Sequence, residues 1–376
     1  MAVEPGVRVS TLELFFDLVF VFTITQLTGV LANDLTVPGA LRVLLMLGVI
    51  WWMYDGYAWL TNAVAPVSRI RRGLLVTGMA GFLVIALAIP DAFGATGWAF
   101  GLGYFLVNAV HSGLFIYTAG ERGAAAMRAL ARFNLLSAGL LLVGGFVPTP
   151  ARYVVWGAAF VVQWFSPYLS PPAGFSISPA HFVERHGLVV IVALGESIVA
   201  LGAGAFGLDL NLGLILVAVL ALVLSYFLWW TYFGGDDERA EHRLAAEEDA
   251  TRRAWLALYA YGYAHYALLF GVVAFAAGVK KAIGHAFDHL ATPEALVLGG
   301  GVAVFLAADV TFRRVLGLAP TGVRAVGALA ALATVPIGVL MASAQLAALA
   351  LVVLAALVVE EWRSRRGATE ATLGPP

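Results

Sequence analysis

Apolar residues in this chain come in runs of roughly twenty, broken by short stretches rich in Pro, Gly and Arg. A run of that length spans the hydrocarbon core of a bilayer when coiled as an α-helix. Apolar periodicity and breakers predict twelve helices, over residues 12–32, 39–61, 73–90, 97–119, 128–147, 152–168, 182–203, 210–233, 253–279, 293–312, 323–341 and 344–360. Pro90, Pro148, Pro150, Pro171, Pro172, Pro293 and Pro320 fall in connections, where a missing N–H costs least. Pro336 falls inside a span and is expected to kink it.

Composition agrees with the pattern. Of 376 residues, 61% are hydrophobic and 12% charged, against about 45–50% and 25% in soluble domains. The expected fold is an all-α polytopic membrane protein. The chain has no cysteine, which excludes disulfides and thiolate metal sites. Its N-terminus carries one basic residue, Arg8, and leads into a helix holding Glu13 and Asp17, unlike a cleavable signal peptide. Twenty arginines against two lysines, with abundant Ala and Gly, suggest a GC-rich bacterial genome. The expected location is therefore the bacterial cytoplasmic (plasma) membrane.

Basic residues test the helix count. With the N-terminus cytoplasmic and twelve crossings, 18 of the 22 Lys and Arg fall in cytoplasmic segments. These are Arg8; Arg69, Arg71 and Arg72; Arg122, Arg128 and Arg132; Arg185; Arg239, Arg243, Arg252 and Arg253; Arg313, Arg314 and Arg324; and Arg363, Arg365 and Arg366. Arg42, Arg152, Lys280 and Lys281 fall on the other side. The separation supports an even count with both termini cytoplasmic.

One pattern occurs twice. Leu12-Glu13 and Val183-Glu184 each open an apolar run, and each run is followed by a helix with a Trp-Trp-x-Tyr cluster, at Trp51–Tyr54 and Trp229–Tyr232. Six spans per half is even, so the repeats are expected to be parallel. The predicted division is a first repeat over 1–168, a Pro/Ser-rich linker over 169–180, and a second repeat with a cytoplasmic C-terminal tail over 181–376. The connector Ser166–Ala180 reads as an extended loop. The aromatic clusters read as an interfacial belt or packing seam, and the charged run Asp236–Arg253 as a solvated cytoplasmic helix.

Acids inside apolar helices are the candidate chemistry, because an uncompensated charge in hydrocarbon is costly. Glu13 and Asp17 lie four apart on one helix face. They fit a cation or proton site, or equally a helix-start acid and an acid paired with an arginine from the other half. Glu184, with Arg185 beside it, opens the seventh helix, and Arg185 is the candidate counter-charge for Glu13, Asp17 or Glu184. Glu196, with Ser197 next to it, falls about 18 Å further along that helix. It is either functional or held in a structural hydrogen bond. His181 and Glu184 share a face at i, i+3 and are weak metal candidates, so no metal is expected. Asp55, Asn108, His111 and Asp309 are secondary candidates. Gly202–Gly207 spells G-x-G-x-x-G but follows a membrane span, so no dinucleotide or other cofactor is expected. The net charge of −1 argues against nucleic acid.

The run Leu12–Val21 resembles the opening helix of the bacterial low temperature requirement A (LtrA) family. His181–Gly187 followed by Leu194-Gly195-Glu196-Ser197 resembles that family's H-x-x-E-R-x-G … L-G-E-S signature, and Trp229–Phe233 extends the match. The resemblance implies a polytopic protein of a family named for a growth phenotype in the cold, and no settled activity. A weaker resemblance concerns Arg8, Phe16–Phe20 and Ile24–Leu27, which look like the first helix of two-repeat potassium channels with an Arg…Phe-Ser-Asp signature. Phe16 replaces the serine, and the second half has Arg185-His186-Gly187-Leu188 where the signature would recur. That resemblance implies Phe20 and Ile24 as an apolar, pathway-lining constriction.

The function expected from these residues is a transporter or channel for a small cation or solute. Its polar centre would comprise Glu13, Asp17, Glu184, Arg185, Glu196 and Ser197. The expected partners are the lipid bilayer and the transported species, with a homodimer left open. Two alternatives stand: an intramembrane lipid- or metal-dependent enzyme using His181, Glu184 and Glu196, and a non-catalytic membrane stress or scaffold protein. Bound metal distinguishes the first, and complete pairing of the intramembrane acids the second.

Overall fold

The computed structural model describes residues 9–64, 68–172 and 174–373, with side chains as far as Arg365, and every regular element in them is helical. Arg8 and the Arg366 side chain lie outside the described residues. In chain order, α1 (Thr11–Asn33), α2 (Val37–Ala63) and α3 (Arg69–Ala88) lead through a 3₁₀ turn to α4 (Gly97–Thr118), α5 (Gly120–Gly144) and α6 (Ala151–Leu169). Then come α7 (Pro179–Ala205), α8 (Leu212–Phe233), α9 (Asp236–Ala246) and α10 (Ala250–Ala257). A π-helical segment, Leu258–Ala264, joins α10 to α11 (His265–Ala282). After it lie α12 (Thr292–Leu316), α13 (Gly322–Ala333), α14 (Val335–Leu340) and α15 (Ala342–Leu373).

Among the described residues, eleven segments are long and apolar enough to cross a membrane. The twelfth expected span, α6, is not one of them: it has 19 residues and carries Arg152, Gln163 and Pro167. The polytopic all-α architecture is the one the hydropathy predicts.

Local chemistry sets the helix ends. Ser10 caps α1 in a capping box: the Glu13 N–H donates to Ser10 Oγ at 3.4 Å, and Ser10 N–H donates back to the Glu13 carboxylate at 2.8 Å. Thr36, Ser68, Asn211 and Asp249 cap α2, α3, α8 and α10. At the connector the structure departs from the sequence reading, because α6 continues through Ser166 to Leu169 and α7 begins at Pro179. Pro167 cannot donate to the Gln163 carbonyl, and Ser166 Oγ donates to it instead at 2.6 Å. A hydroxyl thus replaces the missing N–H and the helix runs on. Pro336 does break its span: α13 ends at Ala333 and α14 restarts with the proline in its first turn.

The charged run also differs from its reading in one place. In α9, Ala240 and Leu244 form a buried stripe under an otherwise solvated surface, but Asp236 is buried as well.

The chain divides into two compact units, Met1–Ala193 with Asp237–Tyr266, and Leu194–Asp236 with Ala267–Pro376. Each draws on both halves of the sequence. In the first unit, α3, α4, α5 and α6 pack in chain order, and α2 packs on α1, α4 and α6. Gly81 and Gly103 let α3 and α4 approach: a Cβ on Gly103 would lie 2.9 Å from the Gly81 carbonyl oxygen. In the second unit, α12 packs on α13, α14 and α15, and α8 on α15. Here Gly271 and Gly301 do the same for α11 and α12, since a Cβ on Gly271 would lie 2.9 Å from Gly301 O.

Candidate functional site

In the first unit, α1, α2 and α7 bring five side chains to one buried cluster. Asp17, one turn beyond Glu13, forms an ion pair through Oδ2 with Arg185 Nη1. Its other oxygen accepts the Tyr54 hydroxyl at 2.5 Å. Glu13 Oε2 accepts from Ser10 Oγ at 2.7 Å, and Glu13 Oε1 lies 3.2 Å from His181 Nε2 and 3.9 Å from Arg185 Nε. Glu13, Asp17, His181 and Arg185 are each no more than 3% exposed. The guanidinium also lies over the Phe16 and Tyr54 rings, 5.9 and 5.4 Å from their centroids, where its delocalised charge is favoured.

The cluster's hydrogen bonds set the state of His181. Asn62 Oδ1 accepts the Ser178 N–H at 2.9 Å and Asn62 Nδ2 donates to the Ser178 carbonyl at 3.0 Å, which fixes the amide's orientation. Nδ2 therefore also donates to His181 Nδ1, 3.2 Å away. With Nδ1 accepting, His181 is neutral and carries its hydrogen on Nε2, facing Glu13. Asp17 thus accepts from Tyr54 and Arg185, and Glu13 Oε2 from Ser10. Among the described residues, two buried carboxyl groups therefore meet one guanidinium.

The next residue on each helix builds a second pair. Asp55 follows Tyr54 on α2 and His186 follows Arg185 on α7, and His186 Nε2 lies 2.9 Å from Asp55 Oδ1. His186 Nδ1 lies 2.8 Å from the Phe182 carbonyl, so it carries a hydrogen. The π segment completes this wall. Its widened turns leave backbone carbonyls for side chains, and Trp51 Nε1 donates to Gly262 O at 2.7 Å.

The other expected residues are placed differently. Glu184 is exposed at the start of α7, where its carboxylate accepts the Val9 N–H at 3.3 Å. It stands outside the cluster, and it does not converge with buried His181 on a common point. Glu196 and Ser197 are buried in the second unit. Phe20 and Ile24 are buried too, with the Phe20 ring 4.2 Å from that of Tyr54, so both are packed side chains. His111 Nε2 lies 2.9 Å from Gly56 O, and Asn108 donates back to Tyr104 O on its own helix. Among the described residues no group of three or more His, Asp or Glu is placed to hold a metal.

Sequence reading missed the other half of the ion chemistry. In the second unit, Arg324 Nη1 lies 2.7 Å from Asp309 Oδ2 and 2.8 Å from Asp236 Oδ2, and its Nε 2.8 Å from Glu360 Oε2. Arg313 reaches Asp236 at 3.2 Å and Glu360 at 2.6 Å. Arg185, Arg313 and Arg324, counted above among the cytoplasmic arginines, are all buried. Arg152, an exception to the positive-inside separation, donates to the carbonyls of Gly144, Val147, Ala92, Gly94 and Gly145 at 2.7–3.1 Å. It closes the end of α5 and the turn after α3 as a structural cation. The aromatic clusters also divide their roles: Tyr54 and Trp51 are buried hydrogen-bond donors, whereas Trp229 is exposed. The clearest missed signal was Asn62, the penultimate residue of α2.

The fold and the buried clusters define a multi-pass α-helical membrane protein with paired ionised residues inside its helices. A family model described as bacterial low temperature requirement A protein (LtrA) matches residues 8–359, so the chain belongs to the LtrA family. It is also 28% identical over 320 residues to an uncharacterized protein of Rhizobium meliloti (strain 1021), covering 82% of this chain and 78% of that protein.

Proposed function

We propose that this LtrA-family protein is a transporter of a small cation, residing in the bacterial cytoplasmic membrane. The observation that supports the reading is that, among the described residues, the buried Glu13 and Asp17 carboxyl groups share the single guanidinium of Arg185, with His181 Nδ1 accepting from Asn62. A net negative charge buried in a membrane-spanning bundle is strongly disfavoured unless a cation or a proton balances it. Such a site gains stability whenever a cation arrives, and a proton competing for the same carboxylates couples the two. Arg185 keeps the carboxylates apart and balances one of them.

Purified protein in liposomes, with a pH-sensitive dye inside, tests this. Imposed gradients of monovalent inorganic and organic cations are expected to drive counterflow of protons. Asp17→Asn and Glu13→Gln each remove one of the two carboxyl groups and are expected to lower flux at least tenfold in protein that remains monodisperse. Flux unchanged in both variants, or absent for every cation in the native protein, overturns the reading.

A further inference from the structure

Beside Asp55, residues of α2, α4 and α5 together with Ser170, Pro172 and Phe175 line a cavity of about 60 Å³, room for a few waters or one small head group. Trp52, Trp59, Phe115 and Phe175 form its walls. Its polar lining includes Asp55, His111 and Asn134, which are 4%, 2% and 1% exposed.

Each of these three carries an acceptor atom. A carbonyl can only accept, so His111 Nε2, 2.9 Å from Gly56 O, carries the hydrogen, and Nδ1 keeps its lone pair. His111 Nδ1 and Asn134 Oδ1 meet no hydrogen-bond partner among the described residues. The Asp55 carboxyl shares one proton with His186: Nδ1 of that ring already donates to Phe182 O, and the Nε2–Oδ1 contact at 2.9 Å holds the other hydrogen. Whichever atom bears it, the pair is neutral overall. The other titratable groups near the pair and the cavity include Tyr261 and His265, with ring centroids 4.8 and 5.8 Å from His186, Tyr57, 5.3 Å from His111, and Tyr263, within electrostatic reach of Asp55.

Buried acceptors without donors disfavour an anion, and an apolar occupant leaves them unsatisfied. An N–H-bearing cation answers all of them, and the aromatic faces attract its charge. We infer that this cavity binds a small primary ammonium or guanidinium-type cation in exchange for the proton held between Asp55 and His186. The inference rests on the cation-transport reading and names its substrate class. The exchange balances: one R–NH₃⁺ enters and one H⁺ leaves. His186 remains neutral with its hydrogen on Nδ1, Asp55 is a carboxylate, and the total charge of the site is unchanged.

Binding, not flux, tests it. Full-length protein in detergent is titrated with methylammonium, guanidinium and tetramethylammonium chloride. Tryptophan fluorescence reports on Trp52 and Trp59, and calorimetry in two buffers of different ionisation enthalpy counts protons. Saturable binding of the two N–H cations is expected, with one proton released per cation and tetramethylammonium at least tenfold weaker. Asp55→Asn is expected to abolish proton release and weaken binding at least tenfold. His111→Phe, the second variant should Asp55→Asn fail to fold, is expected to weaken binding while keeping the release.

No saturable binding overturns the inference, as does binding without proton release or binding that survives both substitutions. Cation flux in liposomes without binding at this cavity removes the inference and leaves transport standing. Binding with proton exchange in a protein that carries nothing across liposomes keeps the inference and removes transport.

Discussion

Arg185 and Asp17 stand 168 positions apart in the chain and form a buried ion pair, each at most 2% exposed. Tyr54 donates to the same aspartate at 2.5 Å, and Glu13 stands 3.9 Å from the same guanidinium. Three helices are thereby tied at one point, and any substitution there acts on stability and on charge together. The two effects are separable by the choice of variant.

Removing one partner leaves the other charged and buried. Arg185→Ala is expected to destabilise the protein by about 3–5 kcal/mol, read as a fall in the detergent melting temperature. Joint replacement, Arg185→Met with Asp17→Leu, is expected to recover most of that stability. The double variant still lacks the cluster, so its cation flux is expected to stay at background.

Asn62 sets the tautomer of His181. Histidine ¹⁵N spectra of the native protein are expected to show His181 neutral with its hydrogen on Nε2. Asn62→Leu removes the donor to Nδ1 and both contacts to Ser178. The expected cost is about 1–3 kcal/mol from the polar groups left unpaired, with loss of the single tautomer signal.

Arg152 joins five carbonyls through a planar fork of donors that an ammonium cannot reproduce. Arg152→Lys is therefore expected to cost about 2–4 kcal/mol of stability. It touches neither the cluster nor the cavity, so flux per folded molecule is expected to match the native protein. A selective loss of flux would show that this end of the unit takes part in transport.

In the second unit, Arg324 serves Asp236, Asp309 and Glu360 at once. Arg324→Ala is expected to destabilise by about 3–5 kcal/mol or more, measured by thermal unfolding. Asp309→Asn keeps a polar partner for Arg324 and lowers the acid excess, so its cost is expected to be smaller. The order of the two melting temperatures checks the assignment.

Close backbone approach predicts one more asymmetry. Gly103→Val and Gly271→Val each drive a side chain into a carbonyl or backbone nitrogen of the facing helix. Each is expected to cost about 1–3 kcal/mol or more as overpacking. Gly113 has open space at its Cβ, and Gly113→Ala is expected to be neutral or slightly stabilising by the same unfolding measurement.

Hydropathy is a property of each residue against its solvent, so the sequence alone determined the membrane class, the positions of eleven of the twelve expected spans and the presence of acids inside them. Helical period placed Glu13 and Asp17 on one face for the same reason: it depends only on neighbours one turn away. Pairing depends on which faces of distant segments meet, and no local pattern carries that. Arg185 turns toward Asp17 while Glu184, one residue earlier, points to solvent because adjacent helix positions differ by about 100°. Sequence spacing joined Glu184 to the cluster and left Asn62 and the Asp236–Arg324–Glu360 network unseen. Only the tertiary structure decided which charges share a partner, because that choice is made by packing between segments separated by tens to hundreds of residues.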